Sequence, residues 1–223
     1  MKSAVVLLSG GMDSATLLHY VKQRLKVRSL FALSFSYGQK HSRELAMAKR
    51  QATAAEASEH SIVDIRFIRN LIAGSSALTD DAIAVPDLAS LSPAERKQPS
   101  TYVPHRNLVL LGIAAAYAEA HGCADVFYGA HTQDAYGYWD CTQEFVDNLN
   151  TVLALNRRLP VVIRAPFTEM SKTEILRIGL RLDVNYANTW SCYRGGRKPC
   201  GSCPTCVERA TAFQTLGVKD PAR

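Results

Sequence analysis

Two clusters of residues in this chain have the types and spacing to do chemistry. The first is Ser9-Gly10-Gly11-Met12-Asp13-Ser14. It follows the apolar run Ala4 to Leu8 and opens a stretch with helical spacing. Two glycines let the backbone turn tightly and bring its N–H groups up to an anion. A helix N-terminus adds about half a positive charge, and Ser9 and Ser14 offer hydroxyl donors. The arrangement is built for phosphate. It is not a Walker loop, which needs a Lys before Ser or Thr. Nor is it a dinucleotide fingerprint, because the third glycine is missing. Asp13 alone would repel phosphate. A magnesium ion bridging carboxylate and phosphate oxygens resolves that conflict, and capping the helix is the other role open to Asp13.

The second cluster is Cys192-x7-Cys200-x2-Cys203-x2-Cys206, four of the six cysteines within 15 residues. Such crowding argues for metal rather than disulfides in a reducing compartment. Four thiolates with two C-x2-C spacings suit tetrahedral zinc, with every position closed and none left for catalysis. An iron–sulfur cluster is the main alternative. Gly201 and Pro204 stand where tight turns at the ligands are expected. Cys123 reads as a small buried residue, and Cys141 lies in a richer polar stretch.

Two further motifs lie between. In Thr101-Tyr102-Val103-Pro104-His105-Arg106-Asn107, Asn107 could cap the apolar helix that follows, and Arg106 could meet phosphate as a fork or bind local carbonyls. Gly129-Ala130-His131-Thr132-Gln133-Asp134 ends a strand, where parallel sheets form their ligand crevice. Asp134, Tyr138, Asp140 and Glu144 then mix acids with a ring. That mixture suits a flat, donor-rich heterocycle, or else a capped helix start with surface acids.

The elements that must position these groups alternate. Ala4–Leu8, Leu30–Phe35 and Ile62–Ile68 read as strands, and 12–24 and 42–58 as helices. Residues 74–100 have no steady period and read as a loop, either a lid closing on substrate or a plain surface insertion. After Pro104 come a helix over 107–121 ending at Gly122, a strand over 125–130, a helix over 142–156 and a short strand over 161–164. A last helix has Ser171 and Glu174 as a capping box. This order predicts a Rossmann-like parallel sheet with helices on both faces.

Hydrophobic residues make up 47% of the 223 and charged residues 21%, which excludes a disordered chain. No apolar run reaches membrane-spanning length, and the N-terminal run is too short for a signal peptide. A cytoplasmic protein is expected. Net charge is +6. From Cys192 onward there are six Lys or Arg against two acids. That tail reads as a solvated basic surface, as arginines for substrate phosphates, or as a nucleic-acid contact.

Ser-Gly-Gly-x-Asp-Ser resembles the PP-loop of the N-type ATP pyrophosphatases. The wider pattern is more specific. SGGMDS at 9–14, FSYGQKHSREL at 35–45, YVPHRN at 102–107, GAHTQD at 129–134, PFTEMSKTEI at 166–175, TWSCYRGG at 189–196 and the four cysteines span nearly the whole chain. Together they resemble the 7-cyano-7-deazaguanine synthases of queuosine biosynthesis. Around Ala135-Tyr136-Gly137 and Trp139 the chain departs from the commonest pattern of that family.

The resemblance implies a PP-loop ATP-binding α/β domain over 1–187 and a small C-terminal zinc module, held by the four cysteines, over 188–223. It implies an ATP-dependent conversion of the carboxylate of 7-carboxy-7-deazaguanine, with ammonia, to an amide and then a nitrile. Nucleotide would meet Leu8, Ser9, Gly10, Gly11, Met12, Asp13 and Ser14, together with Tyr37, Gly38 and Gln39. Asp13, Ser14, Arg106 and Lys172 would serve catalysis, although Lys172 also reads as a solvated residue of a first helical turn. Asp134, Tyr138, Asp140 and Glu144 would bind the deazaguanine. Cys192, Cys200, Cys203 and Cys206 would hold zinc, and magnesium would accompany ATP. A homodimer with small-molecule substrates is expected, with neither nucleic acid nor membrane as partner. The readings outside this one are another PP-loop ligase acting on a different carboxylate or stopping at the amide, a tRNA thiolase, and a nucleic-acid-binding zinc module.

Overall fold

The computed structural model of the protein describes residues 2–40, 43–132 and 137–222. Five strands form one parallel sheet in the order β3-β2-β1-β4-β5. They are β1 (Ser3–Leu7), β2 (Ser29–Ser36), β3 (Glu59–Asp64), β4 (Asp125–Phe127) and β5 (Val162–Arg164). The order runs outward in both directions from β1. The crevice between the C-terminal ends of β1 and β4 is therefore the switch point where ligands bind in such sheets.

Alternation along β1 divides the core. Val5 faces one side, packed with Leu111 and Ala114 of α5 (Arg106–Ala120) and Phe145 of α6 (Gln143–Leu153). Ala4 and Val6 face the other, against Leu17 of α1 (Met12–His19), Ala48 of α2 (Arg43–Ala54) and Ile175 of α7 (Lys172–Arg181). Helices thus cover both faces, as the strand–helix order predicts. A third cluster joins α1 and α7 to α8 (Pro204–Thr215) through Met12, Leu176, Tyr186 and Phe213. Among the described residues no helix is long and apolar enough to cross a membrane.

Several boundaries differ from the sequence expectation. The helix expected over 12–24 ends at His19 and passes into a π turn, Tyr20–Arg24. The third strand starts three residues before Ile62, because Glu59 to Asp64 are in register with Phe31 to Ser36 of β2. It lies at the sheet edge, so it needs little burial, and the apolar run misplaces it. Ile68 instead opens the short helix α3 (Ile68–Leu71). The strand expected over 125–130 pairs only through Phe127, and Tyr128 N–H still reaches Arg164 O at 3.1 Å.

Asn107 does not cap α5. The cap residue is His105, at φ 51°, with no side-chain bond. The Asp140 carboxylate serves instead from outside the helix, accepting from Asn107 N–H at 3.2 Å. Residues 74–100 hold two short helical turns and pack on the body of the protein. Ala77 and Val85 are buried against Trp190 and the cysteines. Leu88 N–H bonds Ser202 O at 2.9 Å. Ser92 and Glu95 form a capping box on α4 (Pro93–Lys97).

The seam between α1 and α7 is close. Thr16 Oγ1 and Tyr186 Oη are 2.7 Å apart. A Cβ at Gly179 of α7 would stand 1.7 Å from that phenol oxygen and 2.9 Å from Thr16 Oγ1. Gly179→Ala would gain about 1 kcal/mol of helix propensity but meet an overpacking cost of about 1–3 kcal/mol. Tyr186 is buried and cannot swing clear. A net loss of stability is expected, read as a lower urea midpoint. A midpoint at or above wild type would show that the phenol can move.

Candidate active site and metal centre

The loop after β1 curls on its own hydroxyls. Ser9 Oγ and Ser14 Oγ are 2.9 Å apart, and Gly11 N–H donates to Ser9 Oγ at 3.2 Å. Gly10 holds the loop against α2. Its φ is +87°, and a Cβ there would lie 2.1 Å from Glu44 O, so a side chain cannot enter. α1 then begins with no side-chain cap, leaving its first N–H groups facing the crevice. A cavity of about 230 Å³ opens at this point, with Ser9, Gly11, Asp13 and Ser14 on one wall.

Asp13 is the electrostatic centre of that wall. Its Oδ2 lies 3.6 Å from Lys172 Nζ and 3.5 Å from His131 Nε2. Burial works against its charge, but the Lys172 ammonium and the His131 ring hold its carboxyl well below the usual range. Oδ1 is buried without a protein hydrogen-bond partner among the described residues. Lys172 also donates to Glu208 Oε2 at 2.8 Å. Three elements distant in sequence therefore converge on one ammonium. The Ser171–Glu174 capping box is present and fixes the turn that carries Lys172.

The opposite wall carries Tyr37, Glu44, Arg106 and Asn107. The Arg106 guanidinium carbon sits 6.0 Å over the Tyr37 ring. Burial disfavours the Arg106 cation, yet Tyr37, Tyr193, Cys141 and Asp140 around it raise its pKa further. Glu44 behaves in the opposite sense. Burial pushes its carboxyl up to about 8, opposed only in part by Arg106.

At the cysteine module, Cys192, Cys200, Cys203 and Cys206 place their sulfurs within 4.8 Å of one another. Cys200 Sγ and Cys206 Sγ are 3.9 Å apart. A tetrahedral ion with metal–sulfur bonds of about 2.3 Å needs sulfurs about 3.8 Å apart, so the set fits one. Gly201 turns at φ +81° between two of the ligands. Cys203 caps α8 and Cys206 stands in its first turn. Backbone N–H groups of Cys200 and Cys203 point at sulfurs, at 3.4 and 3.3 Å. These four residues can hold a metal ion.

The model of the queuosine biosynthesis protein QueC family matches residues 3–217. The 7-cyano-7-deazaguanine synthase of Caldicellulosiruptor bescii is 49% identical over 98% of this chain and 95% of its own length. That of Archaeoglobus fulgidus is 48% identical over 98% of this chain and 88% of its own. The chain belongs to the QueC family. It is an enzyme of queuosine biosynthesis. Among solved structures, an NMN synthetase from Francisella tularensis is similar in fold. Its TM-score is 0.53 at 14% identity, covering 97% of this chain and 77% of the other.

In this QueC-family chain the expected nucleotide residues divide. Leu8, Ser9, Gly11, Asp13, Ser14, Tyr37 and Gln39 line the crevice. Gly10 is spent on backbone packing. Met12 points into the α1–α8 core. Gly38, at φ +87°, packs on the Arg69 stem. Gln39 bonds Tyr37 N–H and Phe35 O, stapling the turn after β2.

The base-pocket residues divide further. Asp134 lies outside the described residues. Tyr138 lines a second cavity. Asp140 is buried and accepts from the Asn107 N–H of α5. Glu144 lines neither cavity. It stands exposed in the first turn of α6, where a carboxylate complements the helix N-terminus. The residues not singled out beforehand are Glu44, His131, Tyr193 and Glu208. The first three lie inside quoted motifs, while nothing in the local sequence marks Glu208. Two of the tail cations have partners within the chain: buried Arg209 pairs with buried Asp220 at 2.8 Å, and exposed Arg194 bonds Val85 O and Asp87.

Cys203→Ser should release a bound metal ion and lower the melting temperature, because one of the four sulfur ligands is lost while the cap position keeps a residue that favours it. Retained metal with normal melting would count against the four-ligand centre. Glu44 gives a pH prediction. Its folded pKa of about 8 lies above the ordinary 4.5. Its contribution to stability is therefore full below about 4.5 and is lost as pH rises through about 8. Glu44→Gln, which mimics the neutral acid, should gain on the wild type across that interval. Parallel urea midpoints against pH would refute the shift.

Proposed function

We propose that the chain converts the carboxylate of 7-carboxy-7-deazaguanine, with ammonia and ATP, to the amide and then to the nitrile 7-cyano-7-deazaguanine. The observation that carries this reading is the crevice itself. An uncapped helix end, two serine hydroxyls and Asp13, which Lys172 faces from behind the lining, share one cavity with Arg106, in a chain of the QueC family.

The chemistry follows from the leaving group. Oxide is a poor leaving group from a carboxylate. Attack of a carboxylate oxygen on the α-phosphorus of ATP releases pyrophosphate and leaves an acyl adenylate. Ammonia adds to its carbonyl carbon, loses a proton, and expels AMP to give the amide. Dehydration of the amide then removes the remaining oxygen. Loop N–H groups and the Arg106 guanidinium stabilise the charge that gathers on the departing phosphates. Lys172 keeps Asp13 ionised and close to that charge. Asp13 Oδ1 is a fitting single carboxylate ligand for magnesium, which would neutralise charge on bridging phosphate oxygens. Zinc suits the four-sulfur set and would be structural.

The reading carries a cytoplasmic setting and, from the resemblance, a homodimer with small-molecule substrates and no nucleic-acid partner. The test is product analysis by mass spectrometry. Protein of known light-scattering mass is given ATP, magnesium, ammonium and 7-carboxy-7-deazaguanine. The expected products are the nitrile, AMP and pyrophosphate, abolished in Asp13→Ala with its metal content intact. An amide endpoint would reassign the product. No ATP consumption by folded, metal-loaded protein would overturn the reading.

A further inference from the structure

A second cavity, about 450 Å³, lies beside the first. Its size is within the range of small-molecule sites, about 300–1,000 Å³. Three separate stretches build it. Leu88, Leu91 and Pro99 form one wall, and Tyr193, Pro204 and Thr205 of the cysteine module form another. Tyr138 closes a third side, its phenol held by Thr101 Oγ1 at 2.7 Å. Arg96, Lys97 and Glu208 are its charged groups, and apolar and aromatic walls with a few placed polar groups are what a flat heterocycle needs.

Two observations tie this cavity to the phosphate crevice. Tyr193 lines both. Glu208, the one carboxylate lining the second cavity among the described residues, bonds Lys172, which in turn faces Asp13 of the first. Lys172 occupies Glu208 Oε2, and a carboxylate has a second oxygen and several lone pairs to offer.

We propose that the second cavity binds the heterocycle of the acceptor, with the Glu208 carboxylate accepting hydrogen bonds from its N–H edge. This rests on the deazaguanine reading above. An acceptor seated there sends its carboxylate past Tyr193 and Lys172 toward the α-phosphate in the first cavity. The arrangement gives the cysteine module a direct part in substrate recognition, because it supplies Tyr193, Thr205 and Glu208.

Two variants test it, each checked for wild-type metal content and melting. Leu91→Trp fills the cavity from a residue that does not line the first crevice. It should raise KM and Kd for 7-carboxy-7-deazaguanine about tenfold or more, with Kd for ATP unchanged. Glu208→Gln keeps the shape and exchanges an acceptor for an amide. Wild type should prefer the 2-amino acceptor over its analogue lacking that group by about tenfold, as for a hydrogen bond to a charged group. Glu208→Gln should lose that preference, a readout that mere loosening of the fold would not move. Unchanged acceptor KM in Leu91→Trp, or a preserved preference in Glu208→Gln, alongside normal wild-type turnover, would overturn this inference alone. Wild-type protein that neither binds nor converts the deazaguanine would overturn the functional reading and this inference with it.

Discussion

A half-buried carboxylate at the start of a helix must be matched by positive charge, and the structure is organised around that requirement at Asp13. Burying an unpaired charge is costly enough that the group would normally protonate instead. Here Lys172 and His131 stand against it, and the end of α1 adds its own partial positive charge. Each of these groups arrives on a different element. α7 brings Lys172 in its first turn, under a complete capping box. His131 comes from the chain just beyond β4. Glu208 comes from α8 and shares the ammonium. The order of the sheet, the seam at Gly179 and the docking of α8 all bear on whether these groups meet.

The other side of the crevice solves the reverse problem. Arg106 is a half-buried cation, and the ionisable groups Tyr37, Tyr193, Cys141 and Asp140 surround it. Asp140 is among them, and burial raises its pKa, with Arg106 and the Asn107 N–H opposing. It performs two tasks at once, capping α5 and facing Arg106. Glu44 is handled differently. Its surroundings favour the neutral acid, which can donate a hydrogen bond where an ionised carboxylate only accepts. The wall that carries Arg106 therefore presents its cation without a fixed anion from Glu44 beside it.

What could be read from the sequence is what local chemistry dictates. Ser9 to Ser14 announce themselves because glycine geometry and hydroxyl spacing act within one turn. The cysteine spacing, the Ser171–Glu174 box and Gly122, at φ +65°, are equally local. The missed features depend on partners far along the chain. β3 is fixed by its register with β2, not by its own apolar run. Asp140 sits in a stretch that reads as a base pocket, and nothing local shows that its carboxylate also accepts from the Asn107 N–H, 33 residues away. Glu208 looks like an ordinary helical acid until α7 brings Lys172 to it. Residues 74–91 lack a period because their order comes from the surface they cover rather than from any regular element.

That surface also explains why the cysteine module is more than an appendage. Trp190 N–H bonds Gly10 O at 2.9 Å, so the module grips the phosphate loop directly. Arg43 of α2 lies 4.9 Å from the Trp190 ring centre. Arg209 and Asp220, both buried, lock α8 to the chain beyond it, while Arg209 also bonds Thr189 Oγ1 at 2.7 Å and Tyr186 O at 3.1 Å. Leaving one partner of such a buried pair unmatched typically costs about 3–5 kcal/mol. These contacts are structural individually, but they share a consequence. The same helix carries Cys206 and Glu208, two residues apart. A metal that fixes the first turn of α8 thereby fixes the carboxylate facing Lys172, and through Lys172 the charge balance of Asp13. A four-sulfur centre with no open position can thus influence the phosphate crevice through geometry alone.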